Sequence, residues 1–108
     1  MGKIIIYGLC LFYFLTINAY AVEKTQGYEY CQTLDGVAKV AMERRQDGVP
    51  MVEVFNSTLD VKPKSAKEMI QSIIKDAYSQ PIYNSDKYKK KEIDEFRSKI
   101  FRLCLSNI

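Results

Sequence analysis

An all-helical fold, a small four-helix domain stapled by one disulfide between the first and last helix, is what this residue pattern predicts. Three observations carry the expectation. Apolar residues recur at three- and four-residue spacing over the stretches 28–48, 65–78 and 86–105, the repeat that lines one face of a helix. Glycine and proline punctuate the intervals at Gly48, Pro50, Pro63 and Pro81. Two of the three cysteines, Cys31 and Cys104, fall in the first and last of these stretches.

The chain begins with the three parts of a secretory signal over residues 1–21. Lys3 and the amino terminus supply positive charge, and Ile4–Ile17 is a nearly unbroken apolar run of 14 residues. Ala19-Tyr20-Ala21 offers the small residues that a signal peptidase accepts, so cleavage is expected between Ala21 and Val22. The alternative is a retained anchor, against which stands a run shorter than the ~20 residues of a spanning helix. Cleavage would leave residues 22–108 as one exported domain with no stable membrane span.

A domain of that size buries a marginal core, so a covalent tie matters. Cys10 leaves with the signal, and Cys31 and Cys104 are then the one available pair in an oxidising compartment. Their bridge would close a loop of about 70 residues, worth roughly 4 kcal/mol by loop entropy. Two unpaired buried thiols are the alternative.

Composition removes several function classes. Losing Lys3 leaves 15 basic against 13 acidic residues, a net charge of +2 that indicates neither nucleic acid nor an acidic polymer as partner. Histidine is absent, and with it the commonest general base, the usual zinc ligand and the Ser-His and Cys-His nucleophile pairs. The expectation is no enzyme, no catalytic residue, no metal and no cofactor.

Taken in order, residues 22–27 read as a short lead into the first helix, Tyr28 to Gly48. Cys31, Leu34, Val37, Ala38 and Ala41 form its inner face, and Gly36 weakens it slightly. Glu43-Arg44-Arg45-Gln46-Asp47 reads as its polar end, and Gly48 closes it in a left-handed conformation. Pro50 suits a first helical position, so a short helix is expected to about Leu59, presenting Met51, Val54, Phe55 and Thr58. A strand is the alternative for Val-Glu-Val-Phe, but a lone strand leaves its backbone groups unpaired.

Ser65-Ala66-Lys67-Glu68 reads as a capping box. Behind it Ala66, Met69, Ile70, Ile73, Ile74, Ala77 and Tyr78 follow the helical template without a miss. Pro81 breaks the pattern, and Asn84 or Ser85 caps a last helix from Asp86 to Leu105. Its inner face runs from Tyr88 or Lys89 through Ile93, Phe96, Ile100, Leu103 and Cys104.

Candidate surfaces follow from what the core does not use. Arg44, Arg45, Asp47 and Pro50 stand on an exposed corner, and arginine is over-represented in interface hot spots. Tyr78 and Tyr83 flank the break at Pro81, where they form a contact patch or cover the core edge. Lys87-Tyr88-Lys89-Lys90-Lys91 can attract an anion, yet Glu92, Asp94 and Glu95 follow directly and intrahelical pairs such as Glu95–Lys99 explain them simply. Asn56-Ser57-Thr58 fits the glycosylation acceptor pattern, which has meaning only in a glycosylating host.

Cys31, the Arg45-Gln46-x-Gly48 corner with Pro50, the Ala77-Tyr78 pair followed by Pro81, and Phe96 with Cys104 give the chain a resemblance. It resembles a loosely defined set of small, uncharacterised, signal-bearing periplasmic proteins of bacteria and their phages. In architecture it is also similar to the periplasmic immunity proteins that neutralise type VI secreted cell-wall toxins, and to acid-stress chaperones of the HdeA type. What these similarities imply is a binder of another periplasmic or envelope protein, an inhibitor or immunity factor. The alternative they imply is a stress chaperone or structural envelope protein, against which stands the lack of carboxylate enrichment. Charge reversal at Arg44 and Arg45 is expected to weaken partner binding at nearly unchanged thermal stability.

Overall fold

The computed structural model describes residues 27–108; the expected signal segment, with Ala19, Ala21 and Val22 at its cleavage site, lies outside the described residues. Among the described residues the chain is helical with no strand. The four helices are α1 (residues 27–46), α2 (Met51–Asn56), α3 (Lys64–Tyr78) and α4 (Asp86–Leu105). None of them is long and apolar enough to cross a membrane.

Helix α1 ends as its glycine dictates. Gly48 takes φ 76°, its amide donates to Arg45 O at 3.1 Å, and the Val49 amide donates to Arg44 O at 3.0 Å. These are the paired bonds of a Schellman closure, which satisfy carbonyls that the helix end would otherwise leave free.

Helix α2 is the expected helix rather than a strand, but it stops at Asn56 instead of Leu59. The hydroxyls explain the early stop: Ser57 Oγ donates to Val54 O at 2.6 Å, and Thr58 Oγ1 donates to Phe55 O at 2.7 Å. Side-chain donors there compete with the amides that would continue the helix. Thr58 is buried and also accepts from Gln71 Nε2 at 2.9 Å, which ties the turn to α3.

The capping box does not form. Helix α3 starts at Lys64 with Pro63 in the cap position, so Ser65 already lies inside the first turn and its side chain caps nothing. Pro63 has no amide to satisfy and its fixed φ suits the entry; its carbonyl accepts from the Lys67 amide at 3.1 Å. Glu68 turns outward to Lys64 instead, at 3.7 Å. The buried stripe is also narrower than the pattern suggested, with Met69 43% exposed.

Helix α4 has the expected bounds, and Ser85 is its cap, accepting from the Tyr88 amide at 3.2 Å. Tyr88 and Leu103 sit on the outer surface rather than the inner face. Glu95 pairs with Lys91, not Lys99; Lys99 reaches across to Asp76 of α3 at 2.7 Å, its ammonium 5.8 Å from the Phe96 ring centre.

One core joins the helices. Leu34, Ala38, Ala41 and Met42 of α1 meet Ile73, Ile74 and Ala77 of α3 and Phe96 and Ile100 of α4, with Met51, Val54 and Phe55 of α2 packed against them. Each large buried side chain contributes on the order of 2 kcal/mol. At one pole Cys31 and Cys104 are bridged, with Cα atoms 5.5 Å apart and a separation of 73 positions in sequence.

Beside the bridge, Arg97 of α4 forks onto Asp35 of α1, Nε to Oδ1 at 3.0 Å and Nη2 to Oδ2 at 2.9 Å. The Arg97 hydrogen bonds hold the Asp35 carboxyl below its ordinary value of 3.8, against partial burial, which raises it. A depressed folded-state value contributes stability above the unfolded-state value and loses it as pH falls through the folded one. The stability difference between wild type and Asp35→Asn should therefore stay constant from neutral pH to about pH 5 and shrink below about pH 4. Urea midpoints across that range measure it; a difference undiminished at the acid end would mean that the pairing charge is not what Asp35 contributes.

Candidate functional site

The pole opposite the disulfide is where the end of α1, the start of α2 and the turn after α3 converge. Its centre is Gln46, which is 2% exposed although it lies in the most polar stretch of α1. Gln46 Nε2 donates to Pro81 O at 2.8 Å, and its Oε1 accepts from the Tyr83 amide at 2.9 Å. One amide side chain thus pairs a carbonyl and an N–H of the 79–85 turn, neither of which has a helix to satisfy it. The Gln46 carbonyl in turn accepts from Lys89 Nζ of α4 at 3.1 Å.

Arg45 and Tyr78 complete the brace. Arg45 Nε donates to Gln80 O at 2.8 Å while its guanidinium lies 5.5 Å from the Tyr78 ring centre, a cation–π arrangement. The Tyr78 hydroxyl donates to Val49 O at 2.6 Å, linking the end of α3 to the turn between α1 and α2. Burial raises the Tyr78 hydroxyl above its ordinary value, with Arg45 opposing, so it stays a donor through neutral pH.

The two surfaces read from sequence as separate candidates are therefore one. Residues 44–50 and 78–83 are bonded to each other, and the side chains divide between bracing and presenting. Arg45, Gln46 and Tyr78 face inward, and Tyr83 is half-buried with its ring 6.3 Å from that of Tyr88. Arg44, Asp47, Pro50 and Ile82 are exposed around them. Reversing charge at Arg45 would break its bond to the turn and its contact with Tyr78, so the expectation of unchanged stability holds for Arg44 alone.

Sequence reasoning put Gln46 on the exposed corner and Lys89 in a charge run or at the start of an inner face, and missed that Gln46 is buried and that the two are bonded to each other. A signal for Gln46 was present: the inner-face rhythm of Ala38 and Met42 reaches position 46 four residues on. In the Lys87–Lys91 run, Lys89 is spent on Gln46 and Lys91 on Glu95. Asn56 is exposed at the end of α2, whereas the hydroxyl of Thr58, two residues on, is buried and bonded.

At the disulfide pole, Tyr30, Leu34, Met69, Ile73 and Leu103 line an open apolar groove of about 310 Å³ with Asp76, already bonded to Lys99, at its rim. Among the described residues no cluster of three metal-ligating side chains is present. The arrangement can hold a rigid, mixed-charge surface in place; it brings no nucleophile to a base. No protein-family model, curated protein or solved structure matches this chain.

Proposed function

We propose that this protein is a periplasmic binding protein that occupies and blocks another protein of the envelope, as an inhibitor or immunity factor does, and docks through the corner that presents Arg44, Asp47, Pro50 and Tyr83, with Tyr78 bracing it from beneath. The observation that carries the reading is the bracing of that corner. The two connecting segments are held by four side-chain hydrogen bonds that involve Arg45, Gln46 twice and Tyr78, and Lys89 ties the end of α1 to α4 beside them. A surface ordered before the partner arrives avoids the entropy cost of ordering it on binding. Exposed Arg44 beside the half-buried Tyr83 matches the arginine and tyrosine enrichment of interface hot spots. The signal pattern and the disulfide support an oxidising, exported setting, and the absence of histidine supports a non-catalytic role.

The test is a pull-down with the oxidised protein from periplasmic extract and from lysates of toxin-bearing or phage-infected cells, followed by mass spectrometry and affinity measurement. One stoichiometric partner is expected. Arg44→Glu with Asp47→Lys should weaken it at least about tenfold, while the melting temperature moves little, as for other exposed substitutions. Undiminished affinity would take the corner out of the interface. Many weakly held unfolded clients, captured chiefly at low pH, would identify a stress chaperone instead.

A further inference from the structure

Gly36 stands in the middle of α1, where glycine costs a helix about 1 kcal/mol relative to alanine. Nothing among the described residues requires it: a Cβ placed there meets none of their atoms within 4 Å. Steps of three and four residues align Glu29, Thr33, Gly36, Val40 and Arg44 along one outer line of α1, turned away from the side that buries Cys31, Ala38 and Met42. All five are exposed, Val40 by half. Along one flank of the line lies an open apolar groove of about 460 Å³, formed with Val37, Ala41, Val54, Val61 and Ile70.

The ends of this line carry opposite charges, and neither Glu29 nor Arg44 belongs to an ion pair among the described residues. Laid antiparallel on itself about a two-fold axis between Gly36 and Val37, the line sets Glu29 of each copy opposite Arg44 of the other. The same register faces Thr33 with Val40 and Gly36 with Val37. Charge and size are therefore complementary in a single alignment, as an isologous contact demands. Glycine at the crossing point lets two helix backbones approach closely. A parallel alignment would instead stack Glu29 on Glu29 and Arg44 on Arg44.

We propose that the outer face of α1 is a homodimer interface, in which a second copy of this chain packs antiparallel across Gly36 and is held in register by two Glu29–Arg44 ion pairs. This goes beyond the partner-binding reading. Arg44 also borders the braced corner, so Gly36→Leu, which leaves the corner untouched, separates the two.

Sedimentation velocity of the purified, oxidised protein over a wide concentration range should show a reversible monomer–dimer equilibrium. Gly36→Leu should weaken dimerisation at least about tenfold and yet raise the melting temperature of the monomer, because leucine improves the helix at an open site. Arg44→Glu should weaken the dimer about tenfold, and adding Glu29→Arg should restore it. A protein that is monomeric throughout, a Gly36→Leu variant that dimerises like wild type, or a double charge swap that restores nothing would each overturn the interface.

Discussion

Opening the Cys31–Cys104 bridge is expected to lower stability by about 4 kcal/mol, a large share of the total for a domain of this size. The bridge closes a loop of 73 residues, nearly the whole described chain, so its absence returns almost all of the loop-closure entropy to the unfolded state. The folded state has its own reasons to keep the two helices together at this pole. Arg97 grips Asp35, and Tyr28 meets Phe101 edge-on with ring centres 5.9 Å apart. Those contacts survive reduction, so the reduced protein should remain helical in dilute buffer and differ chiefly in its urea midpoint. Paired denaturation curves, oxidised against reduced and against Cys31→Ala with Cys104→Ala, measure the difference. A loss below about 1 kcal/mol would mean that the unfolded chain is already held compact, and the loop-entropy account would fail.

Much of this fold was legible because it rests on local, periodic signals. The last helix has the bounds and the Ser85 cap that its sequence indicates, and α1 closes on Gly48. The disulfide was legible by elimination once Cys10, in the expected signal segment, was set aside. Local chemistry misled where two local rules competed. At α3 the serine–glutamate box lost to Pro63, which starts the helix earlier, and at α2 two hydroxyls ended the helix before its apolar pattern did. Nothing local could place Asp35 against Arg97 or Asp76 against Lys99, since those pairs depend on which helices become neighbours.

The candidate site was half legible for the same reason. Residues 44–50 and 78–83 each stood out as a break with arginine or tyrosine around it. Their joining depends on contacts across more than 30 positions of sequence, such as Gln46 with Pro81 and Tyr83, separated by 35 and 37. A glutamine within a charged helix end reads as solvent-facing even though the Ala38–Met42 rhythm points it inward, and the bonded turn is what satisfies its amide there.

Gln46→Leu is accordingly expected to be among the most damaging single substitutions in the chain, at about 3 kcal/mol. Leucine keeps the volume of the side chain and the helix propensity of the position, so neither a large cavity nor a weakened helix enters. What it removes is the partner of the Tyr83 N–H and of the Pro81 carbonyl at once, and a polar group left unpaired away from water costs about 1–3 kcal/mol. The turn would have to swing outward to recover water, taking the Arg45–Gln80 bond and the covering of Tyr78 with it. Hydrogen exchange at the Tyr83 amide should accelerate by orders of magnitude, while amides of Phe96 and Ile100 in the core slow or quicken only with global stability. Gln46→Glu separates the two bonds by protonation: ionised, its carboxylate can accept from Tyr83 but buries a charge against the Pro81 carbonyl, so at neutral pH it should cost at least as much as leucine; in acid, where the protonated carboxyl can donate to Pro81, the cost should shrink. If Gln46→Leu leaves Tyr83 protected, the brace is not what orders the corner. If Tyr83 is freed and partner affinity nevertheless stays unchanged, preorganisation of that corner contributes nothing to binding.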